Sequence, residues 1–78
     1  MAVKKKVDSI RLVVRHNARR LFHSSGMRQA DWAEMVGRSQ PCVSRLLNCG
    51  ETGLVGLARI ATRLGVPMGE FFKAIPGA

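Results

Sequence analysis

The chain has 78 residues, 46% of them hydrophobic, with three Phe and one Trp as its aromatic complement. That length and apolar content exclude both a second domain and a disordered polymer, and they leave little core to spare. Thirteen Lys and Arg against five Asp and Glu give a net charge of +8, a field that attracts polyanions such as nucleic acid or an acidic membrane surface.

The charge is uneven: residues 1–25 carry seven basic side chains and one acidic one. No apolar run approaches membrane-spanning length, and Lys4-Lys5-Lys6 is not followed by an apolar leader segment, so the expected location is cytoplasmic. Cys42 and Cys49 lie seven positions apart. On one helix that is about 10 Å along the axis, beyond the roughly 7 Å limit for a disulfide, so reduced thiols are expected. With His16 and His23 they match no compact zinc module, and no metal or other cofactor is expected.

In chain order, residues 1–7 read as a flexible basic arm. From Asp8 to His23 the apolar residues fall at 10, 13, 14, 18, 21 and 22, the period of an amphipathic helix. Asp8 or Ser9 is its expected cap, and Gly26 its stop. Residues 28–36 form a second, short helix on Trp32, Ala33 and Val36, broken by Gly37. Ser39 is a strong N-cap for a third helix, and Pro41 sits in its first turn, where a missing N–H costs nothing. Val43, Leu46 and Leu47 make its buried stripe. A fourth helix runs from about Leu54 to Leu64, with Leu54, Leu57, Ala58, Ala61 and Leu64 inward. Pro67 opens a last short helix through Phe71, Phe72 and Ala74, and residues 76–78 are a frayed end. Nothing alternates with period two, so the expectation is an all-α bundle of five helices over residues 8–75.

Gln29 to Leu46 reads as helix, tight turn, helix. Val43 and Leu46 anchor the second of these helices, which leaves Gln40, Pro41, Ser44 and Arg45 on its outward side. Gln pairs bidentately with adenine and Arg with guanine in the major groove. Taken singly, Gln29, Gln40 and Arg45 are ordinary surface residues; their frame gives them meaning. Ser44 divides evenly between a contact and a bystander. Arg11, Arg15, Arg19 and Arg20 read mainly as a solvated face, with one of them reaching the nucleic-acid backbone, and Trp32 and Phe72 read as core.

The order Gln29-x-x-x-Ala33-x-x-x-Gly37-x-Ser39-Gln40-x-x-Val43-Ser44-Arg45-Leu46, then Asn48, then Leu57-x-x-Ile60-Ala61-x-x-Leu64-Gly65-Val66-Pro67 with Glu70-Phe71-Phe72, resembles the helix-turn-helix domains of phage Cro and repressor type, the XRE-like family. The likeness spans roughly residues 8–73. It implies a lambda repressor-like DNA-binding fold, double-stranded DNA as partner and a homodimer on a palindromic operator. It also implies that Gln40, Pro41, Ser44 and Arg45 face bases, that Gln29 touches a phosphate and braces Gln40, and that Asn48 holds a phosphate. Arg28, Arg38, Ser39 and the arm residues Lys4, Lys5 and Lys6 are further expected phosphate contacts, and Phe71 and Ile75 the expected dimer surface, Phe71 alternatively being core. Arg28 stands where the family has a capping Ser or Thr, and Arg38 where it often has an apolar residue, so Arg38 is expected to be exposed. The DNA-binding antitoxin of a toxin–antitoxin pair uses the same domain and would add a toxin partner. A cationic membrane-surface protein driven by the first helix is the remote rival. No catalytic constellation is present, and an enzyme is not expected.

Overall fold

The structure, a computed structural model, describes the backbone of residues 2–76 and the side chains of residues 9–76. Among these it is all-helical: α1 (Ala2–Ser25), α2 (Gln29–Val36), α3 (Gln40–Cys49), α4 (Leu54–Leu64) and a single 3-10 turn (Met68–Phe72). α1 lies along α3 and the 3-10 turn, and α2 sits between α3 and α4. No described helix is long and apolar enough to cross a membrane.

Each element follows from its apolar period. α1 contributes Val14 and Ala18, α2 Trp32, Ala33 and Val36, α3 Val43, Leu46 and Leu47, and α4 Leu57, Ile60 and Ala61 to one core, which Phe71 closes. Phe22 meets Trp32 edge-on with ring centroids 5.4 Å apart, the favourable arrangement for two aromatic quadrupoles.

The structure departs from the expected elements in several places. α1 starts at Ala2, because nothing between Ala2 and Ser9 breaks a helix; the segment read as an arm continues it, and Asp8 and Ser9 are internal. The side chains of Lys4, Lys5 and Lys6 lie outside the described residues. The last expected helix is a 3-10 turn, and it turns Phe71 inward and Phe72 outward. Phe72 is therefore not core: it is 47% exposed, and Leu54 and Ile10, also placed on inward stripes, are 71% and 54% exposed. The Arg20 and Lys73 cations flank Glu70 at 3.4 and 2.7 Å.

Asn17 is the one buried polar side chain among the described residues. Its amide nitrogen lies within hydrogen-bond distance of the carbonyls of Val13 (3.0 Å), Phe71 (3.0 Å) and Lys73 (2.9 Å), which share its two N–H donors, and its oxygen accepts from the Arg20 guanidinium. This residue ties the end of the 3-10 turn to the middle of α1. Position 17 lies three past Val14 and four before Leu21, on the buried stripe. A polar residue on that stripe is the signal that sequence reasoning passed over.

At the other seam, Gly50 caps α3 with φ +66° and is buried against α1. A Cβ there would collide with the carbonyl oxygen of Arg11 and lie 2.9 Å from its carbon. Only glycine meets both the left-handed backbone and this close approach.

Candidate nucleic-acid interface

The α2–α3 unit is fixed by its ends. Gly37 adopts φ +71° and its N–H closes on the Glu34 carbonyl, ending α2. Ser39 then caps α3, its hydroxyl oxygen accepting from the Cys42 N–H at 3.3 Å, and Pro41 occupies the first turn. Arg28 precedes α2 with no side-chain cap, as expected from the missing hydroxyl; Asp31 in the first turn interacts favourably with the helix dipole.

α3 is sharply two-sided. Val43, Leu46 and Leu47 are buried, while Gln40, Pro41, Arg45 and Asn48 are exposed and Ser44 is half-buried. Within this outer row Asn48 donates to the Ser44 hydroxyl at 3.1 Å. Gln40 and Arg45 have no side-chain hydrogen bond among the described residues, so their donors and acceptors are free for an outside ligand.

The structure brings together Gln29 and Asn48, which are far apart in sequence. They line one shallow cavity of about 290 Å³ with Arg19, Phe22, His23 and Leu47. Arg19 is the residue that sequence reasoning missed here. It is not merely a solvated charge: its Nε donates to the Leu47 carbonyl at 2.6 Å, satisfying one of the carbonyls that the C-terminal end of a helix leaves unpaired. Gln29 makes no hydrogen bond to Gln40 among the described residues, so the expected brace between them is not formed.

Other expected contacts fall elsewhere. Arg38 is not the exposed cation anticipated; it is half-buried, its guanidinium 3.3 Å from the Cys42 sulfur and packed over Gly56 of α4. Its Nε is buried without a partner. Phe71, expected at a dimer surface, is fully buried in the chain's own core and has no side-chain surface to offer; Ile75 is half-buried. Cys42 and Cys49 are free thiols.

The arrangement can present hydrogen-bonding side chains along one face of a rigidly capped helix, with cationic and amide groups at its far end. No protein-family model matches this chain, and neither does any curated protein or solved structure.

Proposed function

We propose that this protein is a sequence-specific DNA-binding transcriptional regulator of repressor type, in which α2, the Gly37–Ser39 turn and α3 act as a helix-turn-helix and two copies read a palindromic operator. The observation that carries this reading is the outer row of α3. Gln40, Pro41 and Arg45 stand exposed on a helix whose opposite side is buried in the core, and Gln40 and Arg45 are the residue types that pair with adenine and guanine edges. Pro41 offers a base only apolar contact. Ser44, tied to Asn48, completes the row. The cavity holding Gln29, Arg19 and Asn48 suits a backbone phosphate, and the net charge of +8 supports the non-specific part of the affinity.

Selection of bound duplexes from random DNA, followed by competition binding, tests the proposal. The wild-type chain should prefer a palindromic site over scrambled DNA. Arg45→Ala should relax preference at one base position per half-site, at a loss of about 1–3 kcal/mol of discrimination. Equal competition by scrambled DNA, or an equal loss on all sequences from Arg45→Ala, overturns base readout by this helix.

A further inference from the structure

Three of the large exposed apolar side chains gather at one place. Ile10, Leu54 and Phe72 rim a groove of about 270 Å³ whose lining also includes the buried Val14 and Leu57. The groove lies between α1, the α3–α4 loop and the C-terminal 3-10 turn, and Gly50, the cap of α3, is part of its wall. Water against such surface is costly. A cavity of roughly 150 Å³ already admits a benzene-sized group, so this one has room for an aliphatic side chain.

The charges at the groove select its occupant. The chain as a whole carries thirteen cations and five anions, yet among the described residues this groove is lined by one of each, Arg11 and Glu51. Both are exposed, and neither has an ion-pair partner among the described residues. A two-fold interface sets residue i against j and j against i. A balanced pair beside an apolar centre is therefore complementary to itself. An acidic foreign partner or an anionic bilayer would be met better by a purely cationic rim.

We propose that a second copy of this chain docks here, Leu54 of each copy entering the groove of the other and Arg11 of each facing Glu51 of the other. The reason for such a pairing rests on the DNA-binding reading: because Gly50, the cap that ends α3, is also part of the groove wall, docking here fixes the two α3 helices relative to one another. The surface itself stands without that reading.

Sedimentation equilibrium without DNA tests it. Wild-type protein should form dimers, and Leu54→Asp should weaken self-association more than about tenfold, since it places a charge in the apolar seat. Leu12→Asp, at an exposed α1 position outside the groove, should leave it unchanged. Arg11→Glu and Glu51→Arg should each weaken the dimer, and the double variant should recover most of the loss. Added salt should not dissociate the dimer, because screening relieves repulsion between two chains of charge +8, whereas it should weaken DNA binding. Circular dichroism should show unchanged helicity for Leu54→Asp. A wild-type chain that stays monomeric up to about 0.1 mM, equal losses from the two Asp variants, or no recovery in the double variant overturns the proposal. Binding to selected DNA separates the two ideas: a monomer with sequence preference removes only the docking surface. A dimer with these properties and no preference leaves the surface standing and removes the regulator.

Discussion

The basic residues of α1 and the polar residues of α3 are used in opposite ways. On α1, Arg19 and Arg20 are exposed, as a solvated cationic face would be, yet each also donates to a carbonyl of another element, Arg19 to Leu47 and Arg20 to Glu70. Beside them Asn17 is wholly enclosed and shares its two amide hydrogens among three more carbonyls. On α3, Gln40 and Arg45 stay exposed, and the bond within the row runs between Asn48 and Ser44. One helix spends its polar groups holding the ends of other elements, and the other keeps its polar groups open. Open donors and acceptors are useful only on a helix held still by something else, and α1 is what holds α3 still.

The strongest way to break that relation is at the α1–α3 seam. Gly50→Ala combines left-handed strain, about 1–2 kcal/mol, with a collision against the Arg11 backbone that must displace one helix. The expected loss is roughly 3–5 kcal/mol, adding an overpacking cost. Gly37→Ala is the internal control. It shares the positive φ, but its Cβ would meet only the flexible Arg63 guanidinium at an ordinary 3.6 Å, so it should lose only the strain of about 1–2 kcal/mol. Urea unfolding of both variants checks the ranking. Equal losses would mean that the close approach of α1 to the α3 cap contributes nothing.

The second seam is tested by Asn17→Ala. It leaves buried carbonyls at the end of the 3-10 turn without a donor, and it opens space beside Phe71. A loss of about 2–3 kcal/mol is expected. Hydrogen exchange should show α1 and the residues around Phe71 opening together. If stability is unchanged, the 3-10 turn is held by Phe71 alone, and the contrast between inward-spent and open polar groups weakens.

What was legible in the sequence follows the same division. The bounds of α2, α3 and α4, the Ser39 cap and the buried faces of Trp32, Ala33, Val36, Val43, Leu46 and Leu47 are local, set by apolar period and capping chemistry; α4 and the cap match the structure, and α2 and α3 agree to within one residue at each end. The outward row of α3 is the complement of its buried stripe, so its exposure was legible as well. What was not legible depends on partners distant in sequence. Arg19 and Arg20 have the pattern of solvent-facing charge, and only the arrival of Leu47 and Glu70 gives them acceptors. Which of Phe71 and Phe72 turns inward depends on a 3-10 rather than an α-helical pitch. Arg38 is drawn down by Gly56, whose missing side chain leaves room for a guanidinium. Ile10 and Leu54 keep the helical apolar period, but among the described residues nothing covers them, and they stay 54% and 71% exposed.

The smallest expected effect concerns the charged margin of the Asn17 seam. The Lys73 side chain donates to the Glu70 carboxylate and, with the help of Arg20, holds it below its ordinary 4.5, although partial burial works the other way. A carboxylate whose pKa is lower in the folded chain stabilises the fold at pH values above its unfolded pKa, and that contribution disappears as the pH falls through the folded value. The Arg20 and Lys73 side chains are 40% and 60% exposed, so solvent screens the pair and the contribution is slight. Glu70→Gln should therefore melt a little below wild type near about pH 7, and the gap should close as the pH is lowered past about 4.5. Thermal unfolding followed by circular dichroism at a series of pH values reads this directly. A gap of constant size from neutral to acid pH would show that Glu70 acts through its shape and hydrogen bonds rather than its charge, leaving Asn17 as the polar group that fixes the end of the chain to α1.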